Sequence, residues 1–199
     1  EYINNWEKLN LNFDGICTGF LGSKEQIEIV VEFLEKFKTE NSIVIVDPVM
    51  GDYGEIYCTY TDAMCKKMQE LVKHANCITP NLTELCRLLD IPYPDETPEP
   101  EELYALCGRL SMDGPSKIVV TGLKRNGYIE NFIFERYQPY KTIKTEKIGE
   151  DRSGTGDVFS SIVSASLVKG EDFTSCVEKA VHFISRALQF TNEQNLPTN

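Results

Sequence analysis

The stretch Ile43-Val44-Ile45-Val46, followed by Asp47-Pro48, contains four consecutive β-branched residues. In a strand with one face in water, apolar and polar residues alternate, because successive side chains point to opposite faces. An unbroken apolar run of this length is typical of a strand that is buried on both faces of a parallel sheet. The stretch therefore predicts an α/β fold in which helices cover both faces of the sheet.

On both sides of this strand, short apolar runs alternate with longer stretches that have helical spacing. The first such pair is a strand at residues 14–18 and a helix that begins near Ser23. Repeated pairs of this kind predict successive βα units, which build a parallel sheet. We expect further strands at residues 77–79 and 117–121, and helices that begin at Thr61, at Asn81 and at Thr97-Pro98, where Pro98 suits a first helical position.

The segment after residue 121 has a different pattern, with short apolar runs that predict antiparallel strands. We expect these strands at residues 128–129, 131–135 and 140–147, with turns at Asn126-Gly127 and Glu130-Asn131. Two helices, at residues 154–168 and 173–190, follow them. No internal repeat or long linker interrupts residues 1–199, so we predict a single domain.

The composition argues against several classes of function. Twenty Lys and Arg residues against 31 Asp and Glu residues give a net charge of -11, which disfavours binding to the phosphate backbone of nucleic acid. The apolar runs are too short to cross a membrane. The seven cysteines are scattered and form no Cys-x-x-Cys pair, which favours reduced thiols and a cytoplasmic location.

Polar residues follow the predicted parallel strands at the point where each strand ends. In an open α/β sheet, ligands bind outside the carboxyl ends of the strands, so these residues are candidates for a binding site. Two groups have a purely structural alternative, because Asp47-Pro48 is a common turn sequence and Asn81 with Glu84 resembles a capping box. The candidates are Thr18-Gly19, Asp47, Thr79, Asn81, Glu84 and Thr121-Gly122.

The most specific segment is Arg152-Ser153-Gly154-Thr155-Gly156-Asp157, which directly precedes a helical run. A glycine-rich turn that opens a helix presents free backbone N–H groups and the positive end of the helix dipole, and both favour phosphate oxygens. Asp157 beside such an anion hole is positioned to accept the proton of an alcohol. A plain capping turn is the alternative explanation of the glycines. The segment is not a Walker loop, because no Gly-Lys-Ser/Thr follows.

Three motifs together resemble those of a known family. They are Gly154-Thr155-Gly156-Asp157, the Asp-Pro-Val-Met-Gly-Asp sequence at residues 47–52 and the Thr-Pro-Asn-Leu-Thr-Glu sequence at residues 79–84. In this order they resemble the pyridoxal kinases of the ribokinase-like superfamily, from about residue 14 to about Leu196. The nearest alternative is hydroxymethylpyrimidine (phosphate) kinase, which typically has Cys at the position of Asp157. Sugar kinases of the superfamily usually lack the other two motifs in this form.

The resemblance implies a ribokinase-like three-layer fold with a central, mostly parallel sheet and flanking helices. It also implies ATP-dependent phosphorylation of the 5′-hydroxyl of pyridoxal, pyridoxine or pyridoxamine in vitamin B6 salvage. Phosphoryl transfer relies mainly on positioning and charge neutralisation, so carboxylate-held Mg²⁺ and oriented amides are the parts it needs.

The resemblance assigns roles by motif position. Asp157 is implied as the catalytic base in contact with the substrate, and Gly154, Thr155 and Gly156 as the anion hole. Asp47 and Glu84 are implied to hold Mg²⁺, and Asp47, Thr79 and Thr121 a monovalent cation, K⁺ or Na⁺. Phe20 is implied to lie near the vitamin, and residues 143–150 with the final helices around the adenine. The implied ATP-binding residues are Asn81, Glu84, Thr121, Gly122, Arg152 and Ser153.

The resemblance also predicts a homodimer and a shortened form of the fold. Relatives begin with strands and a helix that supply part of the vitamin pocket, and this chain begins after them, in what reads as a helix at residues 2–9. We therefore expect either a fragment of a longer kinase or a truncated product. A truncated, non-catalytic relative that keeps nucleotide binding is the alternative function.

Overall fold

The computed structural model describes residues 2–194; residue 1 and residues 195–199, including Leu196, lie outside the described residues. In chain order the elements are α1 (Tyr2–Lys8), β1 (Gly15–Thr18), α2 (Lys24–Phe37), β2 (Ile43–Val46), β3 (Gly51–Asp52), β4 (Glu55–Ile56), α3 (Asp62–Val72), β5 (Cys77–Ile78), α4 (Leu82–Leu89), α5 (Pro100–Ser111), β6 (Lys117–Arg125), β7 (Tyr128–Glu135), β8 (Lys141–Glu146), α6 (Thr155–Val168) and α7 (Phe173–Glu193). Strands β1, β2, β5, β6, β7 and β8 form, in that order, a six-stranded sheet, and β3 pairs with β4 in a separate hairpin.

Strand β2 lies inside the sheet, as its sequence predicts. It pairs in parallel with β1 on one side and with β5 on the other. Val44, Ile45 and Val46 are fully buried. Val44 and Val46 pack into one hydrophobic core and Ile45 into a second core, because alternate side chains of a strand point to opposite faces. The unbroken apolar run therefore contributes to both cores.

The fold has three layers, with the sheet in the middle, helices α2 to α5 on one face and helices α6 and α7 on the other, and one hydrophobic core lies on each face of the sheet. Helices α2 to α5 contribute side chains such as Ile27, Met68 and Leu85 to the first core, and α6 and α7 contribute Val163 and Val177 to the second. Full burial of an apolar side chain of this size stabilises the fold by about 1.5–3 kcal/mol. Within the six-stranded sheet, β1, β2, β5 and β6 are parallel, while β7 pairs antiparallel with β6 and β8 antiparallel with β7. The predicted central, mostly parallel sheet with flanking helices is confirmed.

Strand β7 corrects one prediction. It runs unbroken through the positions where the sequence predicted a turn, Glu130-Asn131, and both residues pair with β8. The side chain of Glu130 is buried, and its carboxylate lies 3.3 Å from Arg125 Nε and 2.8 Å from Lys144 Nζ. Because these two cations balance the buried charge, a polar pair can occupy the middle of a strand.

Helix α5 begins later than predicted. Pro100, and not Pro98, occupies a position in its first turn. Arg125 donates a hydrogen bond of 2.7 Å to the carbonyl of Pro98, and the hydroxyl of Thr97 donates one of 2.9 Å to the carbonyl of Lys124. These contacts tie the residues before the helix to β6, so the helix starts beyond them.

Two hairpins turn on residues with positive φ. Asn126-Gly127 joins β6 to β7, as predicted, with φ of 51° and 80°, and Tyr53-Gly54 joins β3 to β4 with φ of 51° and 84°. Both match the two-residue type I′ turn, whose twist suits paired strands. The sequence did not predict the second hairpin, because its strands are only two residues long and Tyr rarely adopts a positive φ.

Two expectations from composition concern the cysteines and the membrane. All seven cysteines are free thiols, which agrees with the prediction of reduced cysteines. Of the helices within residues 2–194, none is long and apolar enough to cross a membrane.

Candidate active site

A cavity of about 570 Å³ opens at the carboxyl ends of the parallel strands. Segments that are far apart in the sequence line it together, as expected for the binding edge of an open α/β sheet. Three candidates, Thr18, Gly19 and Phe20, are not among the lining residues. The side chain of Phe20 is half exposed, and its ring centroid lies 6.4 Å from that of Tyr60. The predicted residues that line the cavity are Asp47, Thr79, Asn81, Glu84, Thr121, Gly122, Arg152, Ser153, Gly154, Thr155, Gly156 and Asp157.

The glycine-rich turn opens α6. Gly154 is the N-cap of this helix and has a φ of 83°, in the left-handed region that glycine tolerates best. The first amides of a helix have no partner inside the helix, so α6 offers them to the cavity. A Cβ atom added to Gly154 or Gly156 would meet nothing within 4 Å. The space beside these amides is therefore open to a ligand.

Asp157 lies in the first turn of α6 and is exposed to the cavity. Its backbone carbonyl accepts hydrogen bonds from the hydroxyls of Ser160 (3.2 Å) and Ser161 (2.6 Å). Its carboxylate is engaged by no hydrogen bond or ion pair within the part of the chain that the structure describes. The side chain is thus available to a substrate rather than committed to the fold.

Two other carboxylates of the cavity, Asp47 and Glu84, are buried, with exposed fractions of 5% and 4%. Desolvation raises the pKa of Asp47 to about 6, although its hydrogen bond from the hydroxyl of Thr79 (2.8 Å) opposes the shift and the charge of Asp157 adds to it. Desolvation also raises the pKa of Glu84 well above its ordinary value, with the nearby Asp47 contributing. The ionised forms of both groups therefore gain from a bound cation.

The same Glu84 completes a capping box with Asn81 at the start of α4. The side chain of Asn81 accepts from the backbone N–H of Glu84 (2.9 Å), and Glu84 accepts from the backbone N–H of Asn81 (2.8 Å). The second oxygen of Glu84 accepts from the backbone N–H of Met50 (3.2 Å), and the amide of Asn81 donates to the carbonyl of Gly51 (2.8 Å). The structural alternative for these residues is thus confirmed, and their roles toward a ligand remain predictions.

Asp47 and Glu84 fit a magnesium ion that is held partly by a ligand. Mg²⁺ in proteins usually keeps several waters and binds through one or two carboxylates together with substrate phosphates. Residues 2–194 contain no group of three or more His, Cys, Asp or Glu side chains that could hold a metal by itself. Two buried carboxylates that face a cavity are consistent with a cation that arrives with a phosphate ligand.

Several lining residues were missed by the sequence analysis, and two places supply four of them. The β3–β4 hairpin and the residue after it supply Asp52, Tyr53 and Tyr57, and β6 supplies Lys124. Asp52 lies within a motif that was recognised, so its position was a usable signal. The face of β6 on which Lys124 lies depends on a shift in the β6–β7 register between Val120 and Leu123. No local sequence pattern predicts this shift.

A site of this kind at this edge of the sheet places the chain among the ribokinase-like kinases. More particularly, the chain belongs to the phosphomethylpyrimidine kinase family, whose model matches residues 8–199.

Individual relatives agree with this assignment. A pyridoxal kinase of Dictyostelium discoideum is 26% identical over 96% of this chain and 67% of its own length. A crystal structure from Bacteroides thetaiotaomicron, assigned as a phosphomethylpyrimidine kinase, is 34% identical with a TM-score of 0.96 over 100% of this chain and 69% of its own; a second crystal form of it contains pyridoxal. An ADP complex of Bacillus subtilis pyridoxal kinase is 25% identical with a TM-score of 0.71, over 86% of this chain and 63% of its own. The chain spans between about one third and two thirds of the length of the curated relatives it matches.

Proposed function

We propose that the chain carries the nucleotide and catalytic side of a kinase that transfers the γ-phosphoryl group of ATP to the 5′-hydroxyl of pyridoxal, pyridoxine or pyridoxamine. The observation that carries this proposal is the position of Asp157, whose exposed carboxylate lies beside the open amides of the Gly154–Gly156 turn in the cavity that Asp47 and Glu84 line. A base and an anion hole are the groups that attack by an alcohol on a phosphoryl group requires. The relative that contains pyridoxal and the relative that contains ADP support the two substrates.

In the proposed reaction, the substrate hydroxyl oxygen attacks the γ-phosphorus of ATP. The new oxygen–phosphorus bond forms while the bond from the γ-phosphorus to its bridging oxygen breaks, and ADP leaves. Asp157 accepts the proton of the hydroxyl. The first amides of α6, at Thr155 and Gly156, donate hydrogen bonds to the phosphoryl oxygens, where negative charge develops. Most of the rate enhancement comes from this positioning and charge stabilisation.

Asp47 and Glu84 are the residues that would hold Mg²⁺ together with the phosphates. Mg²⁺, when bound, neutralises charge on the transferring and leaving phosphoryl groups. Asp47, Thr79 and Thr121 would hold a monovalent cation beside them. The hydroxyl of Thr79 donates a hydrogen bond of 2.8 Å to the carboxylate of Asp47 and so helps to fix the orientation of that carboxylate, which lines the cavity.

The proposed nucleotide position runs along the cavity from the turn before α6 to a recess between β8 and α7. Ile143, Ile148 and Val181 supply apolar surface in that recess for the adenine, and His182 and Gln189 supply polar groups at its rim. Asn81, Thr121, Gly122, Arg152 and Ser153 would contact the phosphates. The homodimer and the cytoplasmic location that the resemblance implies remain predictions.

Phosphorylation of a hydroxymethylpyrimidine is the second candidate function, because the chain belongs to the phosphomethylpyrimidine kinase family and is 26% identical to hydroxymethylpyrimidine/phosphomethylpyrimidine kinases of Staphylococcus aureus. A coupled assay of ADP release from the 199-residue chain, with each B6 vitamer and with hydroxymethylpyrimidine, separates the two. We expect turnover with at least one vitamer. Turnover with hydroxymethylpyrimidine alone would overturn the vitamer assignment. Nucleotide binding without turnover on either substrate would favour the non-catalytic alternative.

Gly51→Ala should lower turnover about tenfold, because small misplacements of binding groups are costly. An alanine Cβ at this position would lie 2.1 Å from the carbonyl oxygen of Glu55 and 2.7 Å from Ile56 Cα. The β3–β4 hairpin must therefore shift, together with Asp52 and with the hydrogen bond from Asn81 to the carbonyl of residue 51. Steady-state kinetics with saturating and limiting ATP would measure the loss.

Gly108→Ala is the matched control for this change. Gly108 lies inside α5, and an added Cβ would meet nothing within 4 Å. Alanine in place of a helical glycine should stabilise the chain by about 0.5–1 kcal/mol and leave turnover unchanged. Equal turnover of the Gly51→Ala variant and the parent chain would show that the hairpin does not position the site.

A further inference from the structure

Lys124 makes three contacts at the mouth of the cavity. Its ammonium nitrogen lies 2.8 Å from Asp151 Oδ2 and 2.6 Å from the hydroxyl oxygen of Tyr53, and 4.5 Å from the centroid of the Tyr53 ring. The hydroxyl of Tyr53 donates in turn to the same carboxylate oxygen of Asp151. Three segments that are distant in sequence, β6, the β3–β4 hairpin and the stretch before the glycine-rich turn, thus meet at one cation.

The placement of Lys124 depends on the local form of β6. The ladder between β6 and β7 shifts register between Val120 and Leu123, and Gly122 in this interval has a φ of 68°. Lys124 follows directly, and its side chain lines the cavity that the Gly154–Gly156 turn also lines. The strand irregularity therefore supplies a cation to the phosphate side of the site.

The cavity is rich in negative charge, which Lys124 can partly offset. Asp47, Asp52, Glu84 and Asp157 all line the cavity, and the whole chain carries a net charge of -11. A bound nucleoside triphosphate brings several further negative charges, and the ammonium group of lysine is a common partner of phosphate oxygens. Lys124 is one of the few positively charged groups available to balance them.

Displacing Asp151 from Lys124 costs little. The two side chains are 42% and 54% exposed, and ion pairs with this exposure contribute little to stability. Asp151 would also keep a cation, because Lys147 Nζ lies 3.4 Å from its other carboxylate oxygen. A phosphate can therefore take the place of Asp151 without leaving an unpaired carboxylate behind.

We propose that Lys124 is a phosphate-binding residue of the nucleotide site, which Tyr53 and Asp151 hold in position until the phosphates of ATP or ADP replace Asp151 as its partner. The proposal rests on the proposed function only in requiring that a nucleotide occupies this cavity. It assigns to Asp151 the role of a competitor with the nucleotide rather than of a ligand.

Isothermal titration of the chain with ATP and ADP, in the presence of Mg²⁺, tests the proposal. Lys124→Met should raise the dissociation constants of both nucleotides about tenfold, since a charge-assisted hydrogen bond is lost. Lys124→Arg, which keeps the charge, should restore most of the affinity. The melting temperature of each variant should stay close to that of the parent chain, because the ion pair is exposed.

Lys117→Met is the matched control. Lys117 lies on the same strand, β6, over an aromatic ring, at 5.8 Å from the centroid of Phe173, and is also paired with a carboxylate, that of Glu135. It does not line the cavity. Its replacement should leave nucleotide affinity unchanged, although it removes the same charge from the chain.

Asp151→Asn gives an independent readout with the opposite sign. It should lower the dissociation constant of ATP severalfold in the parent chain, because Lys124 is released, and have a much smaller effect in the Lys124→Met background. Unchanged affinity in Lys124→Met, or equal losses in Lys124→Met and Lys117→Met, would overturn the role of Lys124 while leaving the proposed function intact. A parent chain that binds neither nucleotide would overturn both.

Discussion

Asp157→Asn should lower turnover with ATP and a B6 vitamer by about 10²- to 10⁴-fold, the usual contribution of a positioned general base. Asparagine has nearly the same shape as aspartate but cannot accept the proton that the hydroxyl releases. The dissociation constant of ATP should change little or fall slightly, because a negative charge near the phosphates is removed. The measurement is steady-state turnover together with a nucleotide titration of the same variant.

The fold should tolerate this change. The carboxylate of Asp157 is exposed, and the two serine hydroxyls that approach the residue bond to its backbone carbonyl. Its contribution to stability is limited to the attraction between a carboxylate and the N-terminus of α6, which is about 0.3–1 kcal/mol for an exposed group. Loss of turnover with only a small change in melting temperature would therefore identify a chemical role.

Asp62→Asn is the matched control for Asp157→Asn. Asp62 is likewise an exposed carboxylate in the first turn of a helix, α3, but does not line the cavity. Its replacement should cost a similar, small amount of stability and leave turnover unchanged. A comparable loss of turnover in both variants, or residual turnover near that of the parent chain in Asp157→Asn, would contradict the assignment of Asp157 as the base.

The sequence was most informative where one local pattern determines the outcome. The run at residues 43–46 predicts a strand buried on both faces, and its side chains are indeed shared between two cores. The Asn126-Gly127 turn was predictable because these residues favour positive φ. The Glu130-Asn131 turn was predicted wrongly, since polar residues usually mark turns and the compensating Arg125 and Lys144 come from neighbouring strands.

The site shows the same distinction. The strand-end residues and the glycine-rich turn were predicted together, because parallel strands bring their carboxyl ends to one edge. The hydrogen bond between Tyr53 and Asp151 joins residues 98 positions apart, and neither local sequence predicts it. For Glu84 the sequence predicts the position but not the role, because a capping box and a metal site would both place a glutamate there.

The two roles of Glu84 make different predictions for Glu84→Gln. Loss of the carboxylate should raise the Mg²⁺ concentration needed for half-maximal turnover by about 10- to 100-fold, the range for disturbed metal sites. The structural cost should be smaller. Glutamine keeps one oxygen that can accept from the backbone N–H of Asn81, but its amide group then faces the N–H of Met50, where a carboxylate oxygen now accepts. That mismatch costs about 1–3 kcal/mol.

A second effect of the change opposes this cost. Burial raises the pKa of Glu84, so the ionised carboxylate is itself unfavourable in the folded chain, and a neutral glutamine avoids that penalty. We therefore expect a net change in the free energy of unfolding close to that of an ordinary cap loss, about 1 kcal/mol. Chemical denaturation without Mg²⁺ measures this change, and turnover against Mg²⁺ concentration measures the first effect.

Thr61→Ala supplies the comparison that separates the two roles. Thr61 caps α3 by accepting from the backbone N–H of Met64 (3.3 Å), and it does not line the cavity. Its loss should destabilise the chain by about 1 kcal/mol and leave the dependence on Mg²⁺ unchanged. If Glu84→Gln behaves in the same way, the carboxylate serves only to cap α4. A shifted Mg²⁺ dependence in Glu84→Gln alone would instead mean that one side chain fixes the start of α4 and also binds the cation, so that the helix cap sets the geometry of the metal site.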